Sequence, residues 1–305
     1  MFSRLGKFVR RLPAALRYAV NLESEIDRIK INQGQILETL LASNGSDRFR
    51  DREFKVFSQW GEDGILQWIV DHIEIRNKTF IEFGVEDFRE SNCRYLMMSR
   101  GWSGFVLDGS ERNVDEIRRA YWYWRYDLVV RAAFVTRENV DDLLSESGFD
   151  ADIGILSVDI DGMDYHVLER IERFRPRVIV AEYNAIFGDA RPITVPYDPS
   201  FTRGSAHHTH LYFGASLAAL THLASAKGYA LVGTNSNGVN AFFIRRDLMR
   251  APFRELSAQE GYTPTTVRQS RDRGGQLDYL PAGEQLRAMA GLPVLNVVTC
   301  ALERL

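Results

Sequence analysis

Residues 155–171 read ILSVDIDGMDYHVLERI, an apolar run that ends in Asp159, Asp161 and Asp164 just before a helical pattern. Three carboxylates this close repel one another and resist desolvation unless a cation or hydrogen-bond donors meet them. Asp159 and Asp161 stand two apart, so they share a face while the chain is extended. Gly162 then permits a turn, and Asp164 suits the N-cap of the following helix. A second apolar run, RPRVIVAEYN (175–184), ends in Glu182 and Asn184, again two apart. Acids and an amide carbonyl on two strand ends make a hard-oxygen set suited to magnesium, manganese or calcium. A cation held there would acidify a hydroxyl bound to it. The alternative is that Asp159 and Asp161 accept backbone amides or orient a substrate without metal.

Such residues need a scaffold that gathers strand ends. Strand-like and helix-like segments alternate through TFIEFGV (79–85), SNCRYLMMSRG (91–101) with Ser91 as a candidate N-cap, GFVLDGS (104–110) and a helix from Glu111 to Tyr121. LVVRAAFV (128–135), ENVDDLLSESG (138–148), the Asp159 strand with its helix from Asp164, and PRVIVAEYN (176–184) continue the pattern. An irregular stretch, 186–213, leads to a helix over 214–228 and a closing hairpin of YALVGTN and VNAFFIRRD. This predicts an α/β fold, a doubly wound, mostly parallel seven-stranded sheet with an antiparallel edge.

Ligands of such sheets bind outside the carboxyl ends of the strands. Four of the five parallel strands end in acid there: Glu82, Asp108, Asp159 with Asp161, and Glu182. Gly84 lets the backbone turn tightly beside a ligand. EFGVEDFRESN (82–92) lacks the three-glycine dinucleotide fingerprint, since Glu86 and Phe88 occupy the later glycine places. A pyrophosphate would meet Glu82, Glu86, Asp87 and Glu90, whereas a cationic ligand is favoured. Asp108 stands where an acid accepts both ribose hydroxyls of a nucleoside. A nucleoside with positive charge and no phosphate describes S-adenosylmethionine.

The order of elements, with its closing hairpin, resembles the class I S-adenosylmethionine-dependent methyltransferases. VFSQWGEDGIL (56–66), FIEFGVEDFRESNCRYL (80–96), GWSGFVLDGS (101–110), LSVDIDGMDYHVL (156–168), RPRVIVAEYNAIFG (175–188) and the segment 212–248 together resemble bacterial FkbM-type methyltransferases, often associated with surface-polysaccharide biosynthesis. The resemblance covers about residues 55–248. It implies that Glu82 and Gly84 line the methionine end of the cofactor, Asp108 binds the ribose, Gly109 and Ser110 flank the adenosine, and Gln59 closes over it. Glu82 read without the resemblance is a sheet-edge acid capping the next helix. Catechol-type and macrocin-type O-methyltransferases carry a divalent metal at the corresponding strand ends. By that positional similarity the ligands are Asp159, Glu182 and Asn184, with Asp161 as a substitute and magnesium or manganese as the metal. The acceptor implied is a sugar hydroxyl of a glycan, with Asp159 and Asp161 in catalysis.

A base must take the hydroxyl proton. GSAHHTHLYFG (204–214) offers His207, His208 and His210, of which His208 is the expected base. His166, two residues into the Asp164 helix, is another group that a helix face could aim at the cleft. Trp60, Tyr183 and the aromatic run YWYWRY (121–126) suit core packing or a sugar platform. SVDIDG (157–162) also resembles the nucleophile motif of haloacid-dehalogenase phosphatases, but on the fourth strand and followed by Met163. A dehydrogenase is disfavoured by the missing glycine loop, and a coiled-coil scaffold with an inactive fold by the retained acids.

The chain divides into a segment 1–45, a methyltransferase-like domain 46–250 and an extension 251–305 expected to pack on it. In the first segment Leu22, Ile26, Ile29, Gln33, Ile36 and Leu40 keep alternating steps of four and three, a heptad seam that predicts a coiled coil and a homo-oligomer. The register extends back through Ala19, Ala15, Leu12, Phe8 and Leu5, with Pro13 expected to interrupt the helix. Arg4, Lys7, Arg10, Arg11 and Arg17 make that end basic, a candidate peripheral contact with an anionic membrane or a protein. Among 305 residues, a net charge of -3 gives no pull toward nucleic acid, and two distant cysteines fit a reduced, cytoplasmic setting.

Overall fold

A computed structural model describes residues 2–43 and 45–305, with side chains from residue 22 onward. Helix α1 (Phe2–Ser43) leads to α2 (Glu62–His72), β1 (Thr79–Phe83), α3 (Arg94–Arg100), β2 (Ser103–Asp108) and α4 (Glu111–Arg119). Then come β3 (Leu128–Ala132), α5 (Val140–Ser145), β4 (Ile155–Val158), α6 (Asp164–Arg170) and β5 (Val178–Glu182). The two-residue β6 (Ile193–Thr194) and α7 (Arg203–Ala206) precede α8 (Leu217–Ala226), β7 (Tyr229–Thr234) and β8 (Asn240–Arg245). The extension holds α9 (Ala258–Gly261), α10 (Ala282–Ala288), β9 (Pro293–Asn296) and β10 (Ala301–Arg304).

Seven strands form one sheet in the order β3-β2-β1-β4-β5-β8-β7. β3, β2, β1, β4 and β5 are mutually parallel, and β8 runs antiparallel to both neighbours. This is the class I methyltransferase arrangement. The order makes β1 and β4 neighbours although about seventy residues separate them, so their carboxyl ends face one cleft. The central strands are buried on both faces, as the continuous apolar runs require. Ile81, Phe83, Phe105, Leu156 and Val158 pack under α5, α6 and α8, while Phe80, Val106, Val178 and Phe242 pack under α2, α3 and α4. β6, β9 and β10 form a separate three-stranded sheet, so the extension is tied to the irregular stretch before α8.

Helix α1 runs through Pro13 without a break. A proline inside a helix removes one hydrogen bond, a cost the element bears here instead of ending. The basic residues Arg4 to Arg17, expected to contact a membrane or a partner, lie outside the residues whose side chains are described. One face of α1 docks on the domain. Asp27, 7% exposed, accepts from Arg94 Nη2 at 2.8 Å and from Tyr121 Oη at 2.7 Å. Glu38 accepts from Tyr95 Oη at 2.6 Å and from Arg100 at 2.7 Å. Ile31, Leu37 and Leu41 pack on Phe54, Val56, Phe57 and Tyr95. Arg94 also lies over the rings of Phe57 and Trp122, so the aromatic run at 121–126 is partly core. Trp124, by contrast, is 78% exposed.

Removing one partner of a buried ion pair strands the other charge. Asp27→Ala is therefore expected to destabilise the protein by about 3 kcal/mol in urea unfolding. A change below about 1 kcal/mol, the range of an exposed pair, would show that Arg94 finds other compensation.

Candidate active site

The carboxyl ends of β1, β2, β4 and β5 open into a cleft of about 490 Å³, a size typical of small-molecule sites. Glu82, Gly84, Asp108, Gly109, Asp159, Asp161, Glu182, Asn184 and Gln59 all line it, whereas His208 does not. The ends of β1 and β4 meet at Gly84, whose φ is +70° and whose added Cβ would stand 1.7 Å from the Asp159 carbonyl oxygen. Only glycine fits both the left-handed conformation and the contact.

Glu82 is buried and accepts from Ser91 Oγ at 2.6 Å and from the amides of Asn92 at 2.7 Å and Cys93 at 3.2 Å. The helix-capping role is thus real, and it leaves one edge of the carboxylate on the cleft. Ser91 is not the N-cap itself, which is Cys93; its hydroxyl accepts from the amides of Cys93 and Arg94. Asp108 Oδ2 accepts from the Glu86 amide at 2.8 Å, and Oδ1 from the Ser110 amide at 2.8 Å and Asn113 Nδ2 at 2.9 Å. These bonds fix the carboxylate at the end of β2. Ser110 does not line the cleft; it caps α4 instead.

The segment 56–64 forms one wall. Asp63 Oδ2 accepts from the amides of Val56, Phe57 and Ser58 and from Ser58 Oγ, all at 2.7–2.8 Å. Glu62, fully buried, accepts from the Trp60 amide, Asn235 Nδ2 and Asn240 Nδ2. Those two acids hold Gln59 and Trp60 at the cleft. Gly64 sits where a Cβ would lie 2.1 Å from the Arg52 carbonyl oxygen.

At the β4 and β5 ends, Asp159, Asp164 and Glu182 each bring a carboxylate oxygen within 4.8 Å of the others. Glu182 is 9% exposed, and its Oε2 is buried with no hydrogen-bond partner. Asp161 does not share the face of Asp159. The strand ends at Val158, Asp161 takes a φ of +58°, and its carboxylate pairs with Arg203 Nη1 at 2.8 Å. Asp164 is the first residue of α6 rather than its N-cap, and accepts from the amides of Ile160 at 2.9 Å and Gly162 at 3.0 Å, pinning that turn. Asn184 is spent on its own loop: Nδ2 donates to the carbonyls of Leu211 and Phe213, and Oδ1 accepts from the Ile186 amide. Asn184 thus meets the cleft with its amide held by its loop, and the carboxylate gathered with those of Asp159 and Glu182 is that of Asp164.

The histidines lie elsewhere. His208 is exposed and packs on the ring of His207. His166 is buried, with Nε2 at 2.9 Å from the Val195 carbonyl oxygen, because its helix face turns toward the 186–213 stretch and not the cleft. His210 offers its backbone carbonyl to Arg203 Nε at 2.8 Å. Tyr183 lines the cleft and donates to the Thr263 carbonyl at 2.6 Å. The sequence reading missed Arg203, which lies over the Phe213 ring, and Thr265, Val267 and Gln269 of the extension, which line the cleft. No motif marks them.

Burial dominates the electrostatics. It pushes the Glu82 carboxyl up to about 7 and those of Asp63 and Asp164 up to about 6, against the amides they accept from. Burial, then the negative charges of Asp164 and Asp161, holds Asp159 well above the usual carboxylate range. Burial and Asp159 do the same for Glu182. Each group binds a proton more tightly folded than unfolded. For Glu82, Asp63 and Asp164 the stability this contributes is complete below about pH 4 and is lost as pH rises through their folded values of about 6 to 7. Without added ligands, the thermal midpoint is thus expected to be higher at pH 5.5 than at pH 7.5. A midpoint that rises over that interval would show these acids ionising without cost.

Residues 105–217 match the family model described as the methyltransferase FkbM domain. No curated protein matches. Among solved structures the chain is similar to an O-methyltransferase from Bacillus cereus in complex with S-adenosyl-homocysteine, at 14% identity and TM-score 0.39, over 70% of this chain and 89% of that one. It is also similar to TrmK of M. capricolum with the same cofactor product, at 9% and 0.37 over 64% and 74%. A third is a geranyl diphosphate C-methyltransferase from Streptomyces coelicolor holding Mg2+, at 14% and 0.36 over 56% and 62%. The family match spans Asp108, the Asp159 turn and Glu182, and with the strand order it supports a class I, S-adenosylmethionine-dependent methyltransferase.

Proposed function

We propose that this chain transfers a methyl group from S-adenosylmethionine to a hydroxyl of a sugar-containing acceptor, with a divalent cation held at Asp159 and Glu182. The observation that carries the reading is the buried, unpartnered Oε2 of Glu182, beside Asp159 and three strands from Asp108 in one cleft. A buried carboxylate oxygen without a donor is costly, and a cation or a hydroxyl proton would satisfy it.

The donor set suits the cofactor. Eight carboxylates line the cleft against the single guanidinium of Arg203, a field that attracts a sulfonium and an ammonium and repels a phosphate backbone. Asp108 keeps one lone pair, on Oδ2, for a ribose hydroxyl beyond the three donors it accepts, and Glu82 faces the methionine end. Trp60 and the Gln59 loop close one side. When bound, the cofactor supplies an electrophilic methyl group. An acceptor hydroxyl must meet it in line, and its proton must leave. Asp159 stands at the strand end in the cleft as the group to take that proton, since no histidine lines the cleft. Bound at Asp159 and Glu182, a magnesium or manganese ion would supply Lewis acidity toward the hydroxyl. Sugar hydroxyls suit the rest of the lining, where Gln269, Thr265 and Asn240 offer amides and a hydroxyl.

Calorimetry with S-adenosylmethionine or S-adenosyl-homocysteine is expected to show binding that Asp108→Ala weakens by about 1–3 kcal/mol. Binding of NAD with none of S-adenosyl-homocysteine would refute the cofactor assignment. For the metal, magnesium is expected to raise the thermal midpoint at pH 7.5 in the parent but not in Glu182→Gln. Transfer of label to a glycan acceptor is expected to collapse in chelator, by several kcal/mol of barrier. Full transfer in chelator would leave Asp159 as a metal-free base.

A further inference from the structure

Helix α1 carries two faces. The docked one holds Asp27, Ile31, Gly34, Glu38 and Leu41, and is seated so closely that a Cβ at Gly34 would lie 2.7 Å from Tyr95 Oη. The other leaves Leu22, Ile26, Ile29, Ile36 and Leu40 at 45%, 43%, 63%, 60% and 58% exposed. Five large aliphatic side chains in one stripe are more than scattered surface apolar residues, and mark a surface awaiting a partner.

The spacing identifies the partner. Steps of four and three place Leu22, Ile29 and Ile36 at heptad positions d, and Ile26, Gln33 and Leu40 at a. In that register the domain-facing Asp27, Gly34 and Leu41 are b, Ile31 and Glu38 are f, and Lys30 and Leu37 are e. The domain therefore grips the helix on its outer side and leaves the a/d seam clear. We infer that a second copy of this chain pairs with α1 along this seam, the two helices parallel and in register with one domain on each outer flank. The charges agree with self-pairing. Glu25, paired with Arg28 in its own helix, falls at g and Lys30, over the Phe57 ring, at the following e, so a parallel pair sets Glu25 of each copy opposite Lys30 of the other without like charges meeting. Gln33 meets Gln33 at the only polar a position among the described residues, the device that fixes register and strand number. The buried Asp27–Arg94 pair holds the seam rigid and in one orientation, so little order is lost on association.

The test is the mass of the full chain by light scattering at tens of micromolar. Twice the chain mass is expected. Ile29→Asp with Ile36→Asp should give a monomer with an unchanged circular dichroism spectrum, because neither residue touches the domain. Gln33→Leu should lower the dissociation constant at least tenfold, which keeps a readout should the acidic variant misfold. In a Cys300→Ser background, Leu22→Cys should form an intermolecular disulfide only in the parallel arrangement. In an antiparallel pair the two positions 22 would lie about 27 Å apart. A monomeric parent, a dimer that survives the double acidic substitution, or no disulfide at position 22 would each overturn the assignment. So would a monomer that sediments with vesicles of phosphatidylglycerol and phosphatidylcholine through the same residues, which would give the seam to a lipid surface.

Discussion

The turns after β1 and β4 approach until a single methyl group would not fit between them. Gly84 lies against the Asp159 carbonyl, and that contact decides where the cleft can be. It brings the Glu82 strand and the Asp159 strand to one point and leaves the outward side of both turns free. The neighbouring strand ends, carrying Asp108 and Glu182, fall into place through sheet register alone: Glu82 is level with Val106 and Ser157, and Glu182 pairs across from Asn240. A larger residue at position 84 would push the strand ends apart before it touched any ligand.

That convergence has an electrostatic cost, handled in two ways. Glu82, Asp63, Asp108 and Asp164 are surrounded by backbone amides and hydroxyls, and their charge is turned into structure: they hold the helix start, the Gln59 loop and the turn before α6. Asp159 and Glu182 have no such donors. Arg203 is the nearest positive charge and it is already paired with Asp161, so the two are left with raised proton affinity. The division separates the acids that shape the cleft from those that can act in it. It is also why a cation, a proton or a hydroxyl is the chemistry this corner accepts most readily.

The fold was legible because each βα unit repeats a local pattern, apolar strand and then amphipathic helix, that burial on both sheet faces imposes. Residues 79–83, 103–108, 155–158 and 178–182 are strands where the apolar runs lie, and their terminal acids line the cleft. What failed depended on where a strand stops and what a loop does next. Asp161 was expected beside Asp159 from two-residue spacing, but the strand ends at Val158 and the backbone turns left-handed. Asn184 has the right chemistry, yet the irregular stretch folds back so that two carbonyls claim its amide. His208 belongs to a segment with no period, and its position follows from contacts of Arg203 with Phe213 and the His210 carbonyl, none of which local sequence encodes. The 263–269 strap is invisible for the same reason: it is held at the cleft by Thr266 on Asn237 and by the Thr263 carbonyl on Tyr183, contacts between segments 29 and 80 residues apart.

Helix α1 shows how one sequence signal can carry two messages. A strict heptad of apolar residues reads as a seam, and nothing in it announces that the opposite face is also spoken for. Asp27 and Glu38 look like ordinary solvated acids in a charged helix. In the folded chain they meet Arg94, Tyr121, Tyr95 and Arg100, all in or near the α3 and α4 units that build the cleft's flank. Arg94 follows directly on Ser91, Asn92 and Cys93, the donors to Glu82. A load on α1 therefore reaches the first turn of the cleft through one buried ion pair and one short helix. The helix is joined to the domain rather than tethered to it, which makes the orientation of its free face a property of the whole fold.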